Sequence, residues 1–410
     1  MQFIADFHIH SKYSRATSPN MDVENIAKHA RMKGISLVGT GDFTHPLWLK
    51  ELKEKLRPLG NGLFDYDGTF FMLTSEVNNV FSKGGKIKQI HNILFAPSFE
   101  VVDQINEQLA KKGELESDGR PSLNMPASEL VELLIGISKE CAIIPAHAWT
   151  PWRSIFGSVS GFNSVEECFE EQSKHIFALE TGLSSDPKMN WMLSSLDKYA
   201  LISNSDCHSP QKIGREANVF SLEHPSYAEI LDAVRKKDRG KFKLTIEFFP
   251  EEGKYHYDGH RLHNVRFSPE ESTKHNNICP VCKRKLTIGV MHRVIDLADR
   301  KYGYTPPDAI PFVHAIPLDE LIANIRGKGV GTASVQGEYS SLISSFGTEF
   351  NALLTSEPDE LRSRASEDIA DAILRVREGK VKILPGYDGV YGEIKLLEEE
   401  TGQSSLSKFL

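Results

Sequence analysis

Short apolar runs alternate with longer amphipathic segments from residue 2 to about residue 250. The short runs, rich in β-branched and aromatic residues, predict buried strands, and the longer segments with helical periodicity predict amphipathic helices. The predicted strands are Phe3–Asp6, Ser36–Thr40, Phe70–Val77, Gln89–Phe95, Ala142–Ala146, Ile176–Thr181, Leu201–Ser205 and Lys243–Phe248. The predicted helices are Val23–Lys33, Leu47–Leu56, Val101–Lys112, Ser128–Glu140 and Ala228–Lys237. This alternation indicates βαβ units and a parallel sheet, so we expect an α/β fold built as an open or distorted barrel.

The pattern changes after residue 250. Residues 253–301 contain ten Lys/Arg and five Asp/Glu, together with several histidines and two cysteines, which indicates a small and locally basic module. From Leu318 the pattern is mostly helical, with helices predicted at Leu318–Arg326, Tyr339–Leu354 and Pro358–Glu378 before a β-like run at Val381–Leu384. We therefore predict a barrel (1–250), a cysteine- and histidine-containing module (251–303), a helical C-terminal region (304–400) and a tail (401–410).

Composition excludes several classes of protein. The 410 residues are 40% hydrophobic and 25% charged, which is typical of globular domains. The net charge of −8 makes bulk attraction to nucleic acid or anionic membrane unexpected, so any such contact needs a local patch. The chain shows no signal-peptide pattern and no long apolar stretch, so we expect neither secretion nor membrane insertion. Five scattered cysteines suit a reducing cytoplasm better than a disulfide framework.

Histidines and carboxylates fall at or near the ends of the predicted strands. His8 and His10 are alternate residues after the first strand, so both point to one face. Others follow on further strands: Asp42, His45, Glu76, His91, His147, Asp206 and His208. A single histidine at the end of a strand is more often an ordinary core or loop residue than a metal ligand. The same placement on several separate strands is improbable by chance. Parallel barrels collect their active-site residues at the C-terminal strand ends. Imidazoles mixed with carboxylates predict a divalent metal centre, with zinc or manganese as first choices.

Five short motifs carry these residues: DFHIHS (6–11), GDFTHP (41–46), SE (75–76), PAH (145–147) and SDCH (205–208). Together they resemble the PHP (polymerase and histidinol phosphatase) family. The resemblance implies a distorted (β/α)7 barrel that hydrolyses phosphoesters. It also implies up to three bound metal ions, which are zinc, or manganese or magnesium during turnover. The implied ligands are His8, His10, Glu76, His91, His147, Asp206 and His208. The family's compact Asp-His pair is stretched here to Asp42 and His45, so either can be the ligand. Residues 13–18 contain no further His or Asp, which leaves the ligands of a third ion open.

Metal-bound water is acidic enough to act as a nucleophile at neutral pH, so such a centre needs no conventional general base. We expect His8, His10, Glu76, Asp206 and His208 to form the catalytic set, with His45 or His208 able to move protons.

The basic module contains the spacing of a structural zinc site. His260-x2-His263 and Cys279-x2-Cys282 are separated by 15 residues, a pair–loop–pair arrangement. His256 or His292 could replace one ligand, and a redox Cys-x-x-Cys is the alternative interpretation. Lys283, Arg284 and Lys285 follow the second pair and could contact a phosphate backbone. Residues 235–241 are also basic, although a solvated helix end explains that run equally well.

Three further motifs narrow the resemblance: KYHYDGHR (254–261), LTIGVMHR (286–293) and PGYDGVYG (385–392). With the cysteine pair, they make essentially the whole chain similar to the endonuclease Q family. That resemblance implies nicking of DNA on the 5′ side of deaminated bases (uracil, hypoxanthine, xanthine) and of abasic sites, leaving 3′-hydroxyl and 5′-phosphate ends. Relatives commonly have Cys where this chain has His263. Trp149, Trp152 and Arg153 follow a predicted ligand and could contact DNA or an extruded base.

The tail contains Gln403, Leu406, Phe409 and Leu410 in the pattern Q-x-x-L-x-x-F-L. It resembles the box that binds sliding clamps, either PCNA or the bacterial β-clamp, although a polar tail with incidental apolar residues is the alternative. Three other functions compete with the lesion-directed endonuclease. They are a phosphatase of a small phosphomonoester such as histidinol phosphate, a 3′–5′ exonuclease, and a non-catalytic scaffold that binds DNA or a clamp.

Overall fold

A computed structural model describes residues 1–396 of the chain. Its strands are β1 (Gln2–Asp6), β2 (Leu37–Gly39), β3 (Arg57–Pro58), β4 (Phe64–Tyr66), β5 (Thr69–Lys83), β6 (Lys86–Ala96), β7 (Ser122–Leu123), β8 (Ala142–Pro145), β9 (Ala178–Glu180), β10 (Ala200–Ile202), β11 (Ala217–Ser221), β12 (Phe242–Glu247), β13 (Asp258–His260), β14 (Val265–Phe267), β15 (Phe312–His314), β16 (Lys382–Leu384) and β17 (Glu393–Lys395). Its α-helices are α1 (Val23–Lys33), α2 (Pro46–Lys55), α3 (Phe99–Leu109), α4 (Ala127–Ile137), α5 (Val165–Phe169), α6 (Pro187–Asn190), α7 (Tyr227–Arg235), α8 (Pro269–Lys274), α9 (Val290–Leu297), α10 (Leu318–Arg326), α11 (Ala333–Phe346), α12 (Pro358–Arg364) and α13 (Glu367–Arg377).

The main sheet follows the order β8-β6-β5-β2-β1-β11-β12. β1, β2 and β5 pair in parallel, and the pairings through β6 and β11 give β8 and β12 the same direction. β9 and β10 form a separate parallel pair, which a hydrogen bond from the Ala148 N–H to the Glu180 carbonyl connects to the end of β8. The C-terminal ends of these strands therefore meet at one face. The predicted α/β class is confirmed.

The prediction of a parallel sheet is wrong for β6 and β11, and the short β4 also runs antiparallel to β5. The run Gln89–Phe95 lies in β6, which pairs antiparallel with β5 because only Gly84 and Gly85 connect the two strands. A two-residue loop with positive φ at both positions (60° and 72°) closes a hairpin and cannot cross over to a parallel partner. β11 was not predicted, and it pairs antiparallel with both β1 and β12. Its buried Asn218 donates to the Ser203 carbonyl, so a polar residue interrupts the apolar pattern there.

Helix boundaries follow local capping where the prediction is confirmed. Asp22 caps α1 by accepting from the Asn25 N–H, and Gly34 ends the helix at φ 91°. The predicted helix Tyr339–Leu354 is instead α11 and a separate π-helical turn at Asn351–Thr355, because Gly347 at φ 80° ends α11. The predicted stretch Pro358–Glu378 is likewise two helices, α12 and α13.

The regions beyond residue 250 pack onto the barrel. β15 adds in parallel to the edge strand β12, and Val290 and Val294 of α9 lie in the barrel core. The C-terminal helices α10–α13 share their own core, and the buried ion pair between Lys33 and Glu349 (2.7 Å) ties them to α1. The division into domains remains a prediction. No helix within residues 1–396 combines the length and the apolar character needed to cross a membrane.

Candidate metal centre

Four side chains converge from the middle of β5, where Glu76 lies, and from the residues that follow the C-terminal ends of β1 and β10. His10 Nε2 lies 3.0 Å from Asp206 Oδ1 and 3.2 Å from Glu76 Oε2, and His8 Nε2 lies 3.5 Å from the same Glu76 oxygen. One ligand atom from each of His8, His10, Glu76 and Asp206 lies within 4.8 Å of all the others. We call these four residues cluster A.

A second group shares Glu76 with cluster A. The other oxygen of this carboxylate, Oε1, lies 2.7 Å from His91 Nδ1 and 3.1 Å from His147 Nε2. We call Glu76, His91 and His147 cluster B. Because each oxygen of Glu76 faces a different cluster, Glu76 would be a ligand in both donor sets.

The donor sets fit divalent cations. A cation bonded at about 2.0–2.2 Å needs several donor atoms that lie close together and are not used up in hydrogen bonds to one another. His8 Nε2 meets this description, since it is buried without a hydrogen-bond partner and lies near Glu76 and Asp206. Hydrogen bonds also set the tautomers: Nδ1 of His8 donates to Glu180 and Nδ1 of His10 donates to Asp42. Nε2 of both rings therefore faces cluster A, which is the orientation that metal ligation requires.

The two carboxylates of the clusters lie among histidines and beside Arg120. Burial raises the pKa of Glu76, but His91, Arg120 and His8 outweigh it and hold the pKa well below the usual range. The pKa of Asp206 is lowered as well, because His8 and His10 overcome the effect of burial. Burial lowers the pKa of His8, yet nearby carboxylates raise it well above its ordinary value. For His91 burial prevails and the pKa falls to about 4. The carboxylates are thus ionised and suited to cations.

Glu180 is a functional residue that the sequence analysis missed. It is fully buried at the end of β9, and its oxygens lie 3.0 and 3.1 Å from His8 Nδ1. It also accepts from the His147 N–H at 2.7 Å and from Asn204 Nδ2 at 2.9 Å. Glu180 therefore orients one ligand from each cluster. Its place at the end of the strand predicted at Ile176–Thr181 was the available clue.

The structure does not bring Asp42 or His45 into either cluster. Asp42 lies behind His10, where Oδ1 accepts from the imidazole and Oδ2 accepts from the N–H of Ser11 and the hydroxyls of Ser11 and Ser14. This arrangement orients a ligand and does not support the predicted role of Asp42 as a ligand itself. His45 stacks on Tyr13 with ring centroids 4.5 Å apart.

His208 lies at the edge of cluster A. Its ring centroid is 4.5 Å from that of His10, and its Nδ1 donates to the Asp206 carbonyl. The resemblance allows a third metal ion in the barrel. Within residues 1–396, the barrel contains two groups of three or more metal-ligand side chains, clusters A and B, and no third group for that ion.

The cysteine–histidine module brings its four predicted ligands together. Cys279 Sγ lies 3.6 Å from His263 Nδ1, and Cys282 Sγ lies 3.9 Å from His260 Nδ1. Zinc bonds of about 2.3 Å to sulfur and about 2.0 Å to nitrogen place tetrahedral S and N ligands about 3.5 Å apart, so the set fits a tetrahedral cation. Burial raises the pKa of the Cys279 thiol, but the N–H groups of Cys282 and Val281 outweigh it and lower the pKa.

The alternative ligands in this module are not supported. The side chain of His292 pairs with Asp258, and neither His292 nor His256 belongs to the four-residue group.

The predicted DNA-contact residues separate into two sets. Trp149 is fully buried, donates to Asn190 at 2.8 Å and packs on Phe156, so its predicted DNA contact is wrong. Trp152 is 44% exposed, and Arg153 is exposed beside it. The exposed side chains of the module's basic run are Lys283, Arg284 and Lys285.

The predicted clamp-binding residues, Gln403, Leu406, Phe409 and Leu410, lie outside the described residues.

Comparisons with known proteins agree with this architecture. A family model described as PHP-associated matches residues 198–238, and a model of the MJ0043 C-terminal domain matches residues 317–380. The protein MJ0043 of Methanocaldococcus jannaschii is 32% identical over 255 residues, which are 60% of this chain and 31% of that protein. The chain thus spans about a third of the length of that relative.

Two solved structures match along the whole chain. One is the crystal structure of the lesion-specific endonuclease PfuEndoQ from Pyrococcus furiosus, with a TM-score of 0.88, 32% identity and coverage of 100% of this chain and 98% of that one. The other is an endonuclease Q bound to a 27-mer duplex substrate with an abasic lesion at the active site. It has a TM-score of 0.86 and 32% identity, with complete coverage of both chains. The chain belongs to the endonuclease Q family.

Proposed function

We propose that this chain is a metal-dependent DNA repair endonuclease that cleaves the phosphodiester on the 5′ side of a damaged nucleotide. The single observation that supports this proposal most is the Glu76 carboxylate, which joins two buried donor clusters in a chain that matches endonuclease Q along its whole length. The relative bound to abasic-lesion DNA supports a DNA substrate. Uracil, hypoxanthine, xanthine and abasic sites are the proposed lesions, with 3′-hydroxyl and 5′-phosphate products.

His8, His10, Glu76 and Asp206 would hold one cation, and Glu76, His91 and His147 would hold a second. Zinc is our first choice, with manganese or magnesium in turnover. When bound, such cations neutralise charge on phosphoryl oxygens and make water acidic enough to attack phosphorus at neutral pH.

The chain's own residues keep this centre in a productive arrangement. Glu180 and Asp42 hold the rings of His8 and His10 in the orientations that turn Nε2 toward cluster A. Rigid placement of charged groups before the reaction is the main way in which such sites stabilise a phosphoryl transition state. Of the two proposed proton carriers, His208 is better placed than His45, because its ring contacts a cluster A ligand.

The remaining proposals concern binding. Zinc on His260, His263, Cys279 and Cys282 would hold the module that presents Lys283, Arg284 and Lys285 to phosphates. The exposed Trp152, which packs edge-on against Tyr255, offers a surface for base stacking. The cytoplasmic location also stays a proposal, which the small number and wide spacing of the five cysteines support. The tail pattern supports binding to a sliding clamp.

An end-labelled duplex with one hypoxanthine, uracil or abasic site tests the proposal. The metal-loaded protein should make a single nick 5′ of the lesion and leave undamaged duplex intact. Asp206→Asn should abolish the nick, whereas the exposed and distant Asp359→Asn should not. Progressive shortening from the 3′ end would instead identify an exonuclease. Hydrolysis of phosphomonoesters alone would identify a phosphatase, and full inactivity would leave the scaffold.

A further inference from the structure

Arg120 is a basic residue beside cluster A that no sequence motif singled out. It lies on the loop between α3 and β7, and its side chain is 19% exposed. Its Nη1 donates to Glu76 Oε2 at 3.0 Å, the same oxygen that faces His8 and His10. Within residues 1–396 this is the one hydrogen bond that the guanidinium makes. Since a guanidinium carries five N–H groups, most of its donors remain available.

The loop is built to bring Arg120 to this place. The neighbouring Gly119 packs so closely that a Cβ there would lie 2.3 Å from both Asp42 Oδ2 and Ser14 Oγ. The Gly119 N–H donates to the Tyr13 carbonyl, and its own carbonyl accepts from the Thr44 hydroxyl. Such a close approach is open only to glycine. Arg120 is therefore held beside the centre by backbone contacts as well as by its ion pair.

Charge explains why the guanidinium needs an anion. Divalent cations in clusters A and B would neutralise Glu76, and they would repel a neighbouring guanidinium in a largely buried site. An anionic group that contacts both a cation and Arg120 removes this repulsion. The scissile phosphodiester is such an anion, and planar guanidinium donors match two phosphate oxygens.

We infer that Arg120 is a catalytic residue that donates to a non-bridging oxygen of the scissile phosphate. This inference rests on the proposed function. In the reaction the oxygen of water forms a bond to phosphorus, and the bond from phosphorus to the 3′-oxygen breaks. The bonding pair leaves with that oxygen, which becomes the 3′-hydroxyl by taking up one proton, and the attacking water gives up one proton, so the step balances. Negative charge grows on the non-bridging oxygens at the transition state, where Arg120 stabilises it.

The test compares Arg120→Ala and Arg120→Lys with the matched control Arg15→Ala, whose exposed side chain lies 3.6 Å from Asp118 of the same loop. Each metal-loaded protein is assayed in single turnover on the lesion duplex and on bis(p-nitrophenyl) phosphate, and its metal content is measured. Loss of one such donor lowers the rate about 10²–10³-fold. We expect that loss for Arg120→Ala on both substrates, with metal content unchanged and with partial rescue by millimolar guanidinium. The control should keep the wild-type rate.

Three results would overturn the inference. They are a wild-type rate for Arg120→Ala, a lost rate that excess metal restores in full, and a lost rate that guanidinium does not rescue although the metal is retained. The two proposals fail differently. A wild-type protein that cleaves the small diester but not the lesion duplex contradicts the lesion-directed function, while the effect on the small diester still tests Arg120. Inactivity of the wild type on both substrates overturns both proposals.

Discussion

Replacing Glu180 by Gln should weaken metal binding at both clusters without removing a ligand. Both oxygens of this carboxylate accept hydrogen bonds: Oε1 from His8 and Asn204, and Oε2 from His147. A glutamine keeps only one acceptor oxygen. Its amide NH2 group must therefore face either the donors of His8 and Asn204 or the N–H of His147. The side chain is fully buried, and water cannot repair the mismatch.

The size of the effect follows from these contacts. An unsatisfied buried donor costs about 1–3 kcal/mol. Loss of a group that orients a metal-binding histidine typically weakens metal affinity about 10–100-fold, which corresponds to about 1.4–2.7 kcal/mol. Because His8 belongs to cluster A and the Glu180 contact to His147 reaches cluster B, we expect both affinities to fall within this range.

The measurement is a competition titration of the metal-free protein with zinc or manganese against a chelator of known affinity. Glu223→Gln, at an exposed position, is the matched control and should bind metal like the wild type. Single-turnover cleavage at limiting metal should fall in Glu180→Gln and recover at higher metal concentrations. An unchanged metal affinity in a folded Glu180→Gln protein would refute the argument that this carboxylate positions the ligands.

Three further predictions concern metal retention and stability. Cys279→Ser should release one metal ion per chain from the module, measured by elemental analysis, while the buried Cys141→Ser should retain it. Glu349→Gln should lower the unfolding free energy by about 3–5 kcal/mol, because it leaves Lys33 charged, buried and without its partner; denaturant titration checks this, and a change near zero would contradict it. Burial raises the pKa of Glu247 from 4.5 to about 7. Between these two pH values the folded state retains a proton on Glu247 that the unfolded chain releases. This contribution to stability is present below about pH 4.5 and is lost as pH rises through 7, by up to about 3 kcal/mol. Glu247→Gln should flatten the dependence of Tm on pH between 5 and 8, and an unaltered slope would count against the raised pKa.

Much of the centre was predictable because its ligands follow local rules. His8 and His10 are alternate residues of an extended segment directly after β1, so both point to one face, and the parallel neighbours β1, β2 and β5 bring them to Glu76. The module was predictable for a similar reason. Two short pairs at zinc-finger spacing can meet when the chain between them turns back, and His260, His263, Cys279 and Cys282 do so across β14 and α8.

Other features depend on contacts between residues far apart in the chain. Glu180 lies 172 residues from His8, and Arg120 lies 44 residues from Glu76, so neither has a motif that marks its role. Trp149 follows a ligand in sequence, yet it points into the core because Asn190 and Phe156 surround it. The sequence by itself determined which residues could bind metal and which predicted strands carry or precede them. Only the tertiary structure decided which of them meet, since burial and hydrogen-bond partners arise from segments that fold together over long separations.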